Sequence, residues 1–320
     1  MYGVPVNHST VREFILVGLW ENPELQFLLF VVFLCIYIIT MIGNLSIIVA
    51  YKFSPNLQTP MYFFLANFSF LEICYISTTV PKMLSGFTAE HKTISVEGCL
   101  IQMFFFLLLG GTECYLLASM AYDRYIAICH PLLYFNIMNK GVCIQLIVGS
   151  WLIGTINSLI HTYLTFTLPF CGGIRIDHFY CDISPLLNLA CSDTWVNETV
   201  LRVMCGCVIL GTFLLTLTSY ILIIVTILKI HSISGRNKVF STCSSHFMVV
   251  MIFYGSATFM YFRPKLNYGT GQDRFISIMY AVIAPLLNPF IYSLRNQQVK
   301  DAVRKLIYII IGTHRCNTFL

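Results

Sequence analysis

Seven runs of apolar residues separated by short polar segments leave this chain few folds to choose from. They cover about Leu25–Tyr51, Pro60–Leu84, Val96–Ile128, Val142–Leu164, Val196–Ile230, Val239–Phe262 and Phe275–Leu294. Each is long enough to cross a bilayer as a helix, the only open element that satisfies its own backbone in lipid. The third and fifth exceed one bilayer thickness, which predicts tilt or protrusion. The 320 residues are 57% hydrophobic and 10% charged, too few charges to cover a soluble domain of this size. The expected fold is an all-α membrane protein, a seven-transmembrane helix bundle over residues 25–295. Residues 1–24 form a polar tail. In 296–320, the stretch Gln297–Ile311 alternates basic and apolar residues, which predicts an eighth, amphipathic helix on the membrane surface; Leu306–Ile311 is too short for another span. No cleavable leader pattern precedes the first run, so that run is expected to target the chain to the membrane.

Charge sets the orientation. The loops after spans one, three and five, together with the C-terminus, hold eleven Lys and Arg residues against Asp123 and Asp301; the other side holds eight against ten acids. Positive residues mark the cytoplasm, so the N-terminus is expected outside and the C-terminus inside the plasma membrane. The net charge of +5 does not suggest nucleic acid as a partner, because the basic residues form no stripe on a polar surface; membrane lipid is the expected surrounding. The sequon Asn7-His8-Ser9 falls in the outer tail and is a glycosylation candidate. Asn197-Glu198-Thr199 lies outside but against the fifth span, and Asn44-Leu45-Ser46 and Asn67-Phe68-Ser69 fall within spans.

Thirteen cysteines include no CxxC pair or Cys/His quartet at zinc spacing. Most sit in apolar runs as small hydrophobes. Cys99, Cys171, Cys181 and Cys191 lie in polar connections and are the disulfide candidates, with three pairings open. His178-x-x-Cys181-Asp182 has metal-site spacing, but loses its thiolate if Cys181 is bridged.

Motifs then recur in order. Gly43-Asn44 lies in span one, and Leu57-Gln58-Thr59-Pro60-Met61-Tyr62-Phe63-Phe64-Leu65 opens span two. Met120-Ala121-Tyr122-Asp123-Arg124-Tyr125-Ile126-Ala127-Ile128-Cys129 closes span three, and Ser219-Tyr220 lies in span five. Lys238-Val239-Phe240-Ser241-Thr242-Cys243-Ser244-Ser245-His246 opens span six, and Pro285-Leu286-Leu287-Asn288-Pro289-Phe290-Ile291-Tyr292 closes span seven. The set resembles the odorant receptor family of rhodopsin-like G-protein-coupled receptors over nearly the whole chain. The loop Pro169–Cys191 is similar to that of the tetrapod-type branch. Gln58, Val239 and Glu72 depart from the residues usual there (His, Ala and Asp).

The resemblance implies an odorant receptor that is not an enzyme and couples to a stimulatory, olfactory-type G protein to raise cyclic AMP. It implies a Cys99–Cys181 bridge and a second, Cys171–Cys191, within the loop. It also implies an activation switch of Asp123, Arg124, Tyr125, Tyr220, Asn288, Pro289 and Tyr292. Charge buried in a span is costly and points to function; Arg124 is expected to pair with Asp123 and with polar groups on span six until that span moves. Pro289 breaks the helical ladder one turn from Tyr292. Glu72 and Glu113 lie mid-span, where two bare carboxylates would be prohibitive. They require a shared proton or a cation, and Asn44 and Asn288 would complete a cage for a sodium ion; both readings stand. No other cofactor is expected.

A ligand cavity is expected in the outer half, among spans three, five, six and seven. Helical spacing points Phe106, Leu107, Gly110 and Gly111 inward from span three and Met204 and Val208 from span five. Tyr254, Ala257, Thr258 and Tyr261 follow from span six, and Ile278 and Ala281 from span seven. The same spacing also packs ordinary bundles. The set is apolar, with a few hydroxyls and no charge, and suits a small neutral volatile molecule; an amine would want a carboxylate where Phe106 stands. The rivals are a rhodopsin-like receptor for a peptide or lipid and a transporter or channel, against which the chain shows no internal repeat. A membrane enzyme is disfavoured because His161 and His246 are isolated and no Ser-His-Asp or HExxH arrangement occurs.

Overall fold

The computed structural model describes residues 11–19, 23–89, 92–171, 173–229, 233–261, 271–295 and 300–301, with backbone alone for 23–24, 233–242, 245, 260–261, 271–273, 290 and 292–295. Seven long helices follow the seven apolar runs. They are α1 (Pro23–Phe53), α2 (Pro60–Thr88), α3 (Val96–Cys129), α4 (Lys140–Phe166), α5 (Trp195–Leu228) and α6 (Ile233–Tyr261). The seventh, α7, joins Gly271–Ile278, a π-helical turn Met279–Ile283, and Ala284–Arg295. Among the described residues, five of the seven are long and apolar enough to cross a membrane unaided. In α6 and α7 the apolar stretches are shorter, His246–Phe259 and Arg274–Pro289, because α6 opens on the polar string Lys238–His246. Predicted glycosylation at Asn7 and the amphipathic helix Gln297–Ile311 lie outside the described residues, apart from Lys300 and Asp301.

Helix starts obey local chemistry. Pro60 stands in the first turn of α2, where its missing N–H costs nothing. The side chains of Ser95 and Asn139 cap α3 and α4 by accepting from the Gly98 and Val142 N–H groups at 3.0 and 3.1 Å. Large apolar side chains such as Ile42, Leu45, Leu214 and Leu215 face outward. In water such a surface would aggregate, whereas lipid tails solvate it.

Helix α3 is the axis of the bundle and packs on α2, α4 and α5, while α7 packs on α1, α2 and α6. The α3–α4 approach depends on glycine. A Cβ at Gly154 would stand 2.4 Å from Thr112 Oγ1, 2.9 Å from the Leu108 carbonyl oxygen and 3.0 Å from the Thr112 nitrogen. Close backbone approach of this kind holds membrane helices together where no hydrophobic drive exists. One turn further, the Ser158 hydroxyl donates across the seam to the Phe104 carbonyl at 2.5 Å.

Beyond the Cys99 end of α3, short strands form a cap. Strand β1 (Glu13–Leu16) lies between β2 (Thr93–Ser95), to which it is antiparallel, and β3 (Arg175–Ile176), to which it is parallel. The segment thus contains a strand within the stretch expected to be a plain polar tail. Phe14 is fully buried and meets Phe170 edge-on at 5.5 Å.

Replacing Gly154 by Ala forces a methyl into the Leu108–Thr112 backbone, and overpacking of this kind costs about 1–3 kcal/mol. The variant is expected to melt at lower temperature in detergent and to reach the cell surface in reduced amount, measured by thermal shift and surface staining.

Candidate functional site

The segment from His178 to Ile183 is buried over the cap end of the bundle. Disulfides join Cys99 to Cys181 and Cys171 to Cys191, with Cα atoms 5.5 and 5.7 Å apart. This is the pairing that the family resemblance implies. The Cys181 N–H donates to Gln102 Oε1 at 3.0 Å, and Gln102 Nε2 donates to the Thr78 carbonyl at 3.0 Å, so the loop is tied to α3 and through it to α2. Arg274 on α7 pairs with Asp177 and donates to the Gly18 carbonyl at 3.1 Å. His178 Nε2 bonds Ser277 Oγ at 2.9 Å, while Nδ1 accepts from the Tyr180 N–H at 3.4 Å. Burial, reinforced by the Arg274 charge, pushes the His178 pKa down to about 3, so its imidazole is neutral at neutral pH. With Cys181 bridged and both ring nitrogens of His178 engaged, His178-x-x-Cys181-Asp182 offers a metal neither a thiolate nor a free imidazole nitrogen. No group of three metal-capable side chains occurs among the described residues.

Beneath this loop lies a small cavity of about 30 Å³, well under the volume of an occupied small-molecule site. Its α3 wall is Phe106, Leu107, Gly110, Gly111 and Cys114; α5 supplies Cys205, Val208 and Ile209; Ala257, Tyr280 and Asn157 come from α6, α7 and α4. Among the described residues no charged side chain lines it. Phe106 packs under Tyr180 of the loop, ring centroids 4.5 Å apart. Tyr75, Tyr280 and Phe253 continue the aromatic cluster at 5.2–5.6 Å through the bundle.

All four residues expected from α3 line the cavity, as do Val208 and Ala257. The others need correction. Met204 is half-buried and off the wall, because the inward stripe of α5 runs through Cys205, Val208 and Ile209. Thr258 is exposed: one residue after Ala257, a helix has turned about 100° away. Tyr254 is buried behind the wall and donates its hydroxyl to the Cys114 carbonyl at 3.1 Å. Ala281 is buried and Ile278 partly so, but Tyr280 faces the cavity in their place. It sits in the π turn, whose wider winding shifts the register that a 3.6-residue count assumes. The Tyr261 side chain lies outside the described residues. Asn157 reaches the wall from α4, outside the four helices expected to build it; its sequence signal is an amide within an apolar run.

At the opposite end, Arg124 and Asp123 are buried. Asp123 Oδ1 accepts from the Tyr134 hydroxyl at 2.9 Å, a partner from the turn Tyr134–Ile137 that the motif does not contain. Arg124 lies within electrostatic reach of Tyr220, Cys243 and His246. The Tyr220 hydroxyl hydrogen-bonds His246 Nδ1, so His246 is not isolated. Tyr125 reaches His130 Nε2 at 3.1 Å; the Tyr292 side chain lies outside the described residues. Midway, Asn288 Nδ2 donates to Glu72 Oε1, while Glu72 Oε2 is buried without a hydrogen-bond partner. Glu113 is buried within electrostatic reach of Glu72. Asn44 donates to the Thr40 and Pro285 carbonyls at 3.0 and 3.5 Å, and Pro289 packs against Gly43. Asn197 Nδ2, the atom a glycan would need, donates to the Leu164 carbonyl at 2.6 Å.

Asp182 caps the turn Ile183–Leu187 by accepting the Ile183 N–H at 2.8 Å. Burial raises its pKa to about 6, partly offset by that hydrogen bond. Because this lies above the unfolded value of about 3.9, the proton binds the folded state more tightly. The resulting stability is full below about pH 4 and lost as pH rises through 6. Asp182→Asn keeps a capping oxygen without the charge. It is expected to raise the melting temperature by a few degrees at neutral pH, an advantage that closes as pH falls from 6 to 4, read by thermal shift across pH.

The family description "Olfactory receptor" matches residues 33–309. Human olfactory receptor 5G3 is 50% identical over 94% of this chain and 96% of its own. Human olfactory receptor 5I1 is 48% identical over the same shares, and mouse olfactory receptor 5AR1 is 47% identical over 94% and 97%. With likeness over nearly its full length on a bundle of seven helices, the chain belongs to the olfactory receptor family: it is a multi-pass membrane receptor for odorants that signals through a G protein.

Proposed function

We propose that the receptor binds a small, neutral, volatile odorant in the cavity beneath the Cys99–Cys181 loop, and that binding shifts the bundle toward a form that engages a stimulatory, olfactory-type G protein. The observation that carries this reading is the lining: eleven residues, predominantly apolar and none charged. Such a wall gives shape selection and little affinity for ions. The orientation proposed is N-terminus outside and C-terminus inside the plasma membrane, supported by the excess of Lys and Arg on the Arg124 side.

Activation is a population shift: the odorant binds one arrangement better, and that difference in affinity moves the equilibrium. The Arg124 end supplies the bistable element. Asp123 bonded to Tyr134 ties α3 to the turn that follows it, and Tyr220 bonded to His246 ties α5 to α6 beside a buried guanidinium. Outward movement of α6 breaks the Tyr220–His246 bond and gives Arg124 to the G protein, while Asn288, Pro289 and Tyr292 adjust α7. Between the two ends, Glu72 and Glu113 require a neutralising positive charge, a proton or a sodium ion; the unpartnered Glu72 Oε2 supports this. A sodium ion would be held by those carboxylates with the Asn44 and Asn288 amides around them, and would supply charge compensation that differs between the two arrangements.

Arg124→Ala is expected to abolish the cyclic-AMP response to any activating volatile while surface staining persists; full signalling from that variant rejects the switch. Screening diverse volatiles on cells expressing the chain tests the ligand class, and activation only by peptides or lipids would reject it. Replacing extracellular sodium by choline shifts agonist potency if Glu72 and Glu113 hold sodium, and leaves it unchanged if they hold a proton.

A further inference from the structure

Asn157 brings to the cavity wall an amide whose oxygen has no hydrogen-bond partner among the described residues. Asn157 is 7% exposed and lines the cavity from α4. Its Oδ1 is buried without a partner, and no described residue bonds its Nδ2. Other buried asparagines behave differently. Asn44 donates to the backbone four residues back, and Asn197 donates across to α4. The hydroxyls around Asn157 are also committed: Ser158 to Phe104, Thr155 to Trp151 and Thr112 to Leu108. On the far walls Tyr254 is bonded to Cys114, and Tyr280 meets Tyr75 edge-on, ring centroids 5.6 Å apart. An unspent amide in an apolar chamber is costly to fold around.

Glycine opens Asn157 to the cavity. A Cβ at Gly111 would lie 3.8 Å from Asn157 Nδ2 and 3.5 Å from Gly154 Cα, so a side chain at Gly111 would stand against the amide from the α3 side.

We infer that Asn157 is the polar anchor of the cavity and that the odorant it holds carries a hydroxyl group. The inference rests on the reading that this cavity receives the odorant. An amide presents a donor and an acceptor on one planar group, and a half-turn about its last bond exchanges them. A hydroxyl both donates and accepts, so it satisfies whichever end faces the ligand. A ketone or ether serves the N–H end alone. A charged amine or carboxylate would meet no counter-ion on these walls. The ligand class is therefore a medium-sized aliphatic or phenyl-substituted alcohol, its hydrocarbon part toward Phe106, Val208 and Ile209.

The test compares octanol and phenylethanol with their methyl ethers, with octanone and with the parent hydrocarbons, on cells expressing the full chain with a cyclic-AMP reporter. The alcohols are expected to act at the lowest concentrations. Asn157→Leu should raise their half-maximal concentration about tenfold, the worth of one hydrogen bond, and leave that of any active parent hydrocarbon unchanged. Gly111→Ala sets a methyl beside the amide and should weaken the alcohols in the same direction, which keeps the test decisive if Asn157→Leu fails to reach the surface. Equal potency of alcohol and ether on the wild type, or unaltered alcohol potency in a variant at normal surface level, overturns the inference. Activation by non-hydroxylated volatiles alone overturns it while leaving the volatile-receptor reading intact. Silence of the surface-expressed wild type toward every volatile class overturns both.

Discussion

The bond between Cys99 and Cys181 is the constraint on which the upper half of the molecule depends. It fixes one point of a long loop to the top of the central helix, and Tyr180 is then carried onto Phe106. Without it, a loop of this length would lose much entropy on settling into the bundle. Once it is fixed, single hydrogen bonds such as Cys181 to Gln102 suffice to set orientation. The cavity below is thus bounded by a roof placed covalently and by walls placed by helix packing.

Those walls depend on how closely α3 and α4 approach. Gly154 admits the Leu108–Thr112 turn, and Gly111 faces it across the seam. The approach brings Asn157 to the cavity from a helix at the rim of the bundle, with many side chains facing outward. Farther along α3, the same helix carries Glu113 and then Arg124, so ligand wall, buried carboxylate and buried guanidinium share one rigid rod. That shared rod connects the two ends of the receptor physically, and the Tyr220–His246 contact lies beside Arg124 at its far end.

Much of this was legible in the sequence because lipid imposes a coarse code. Uninterrupted apolar runs marked every helix, and the α3 wall followed from its spacing. Legibility failed where a side-chain direction depended on geometry that composition does not encode. Thr258 and Ala257 are adjacent and both plausible, yet one faces out and the other in. Tyr280 reaches the cavity through a π turn that no residue pattern announced. Tyr134 and His246 hold the Arg124 region from elements distant in sequence. Asn157 was overlooked for a different reason: an amide within an apolar run looks like a packing residue until its neighbours are seen to satisfy themselves elsewhere.

The strand arrangement of the cap has a consequence for biosynthesis. Strand β1 is the middle strand, yet it is made first; β2 is made only after α2, and β3 only after α4. Until β2 is made the middle strand therefore has two unpaired edges, and until β3 is made it keeps one; such edges invite pairing with other chains. The sheet closes once the ribosome has delivered four helices to the bilayer, so an intact cap reports that the first half of the receptor has been threaded correctly.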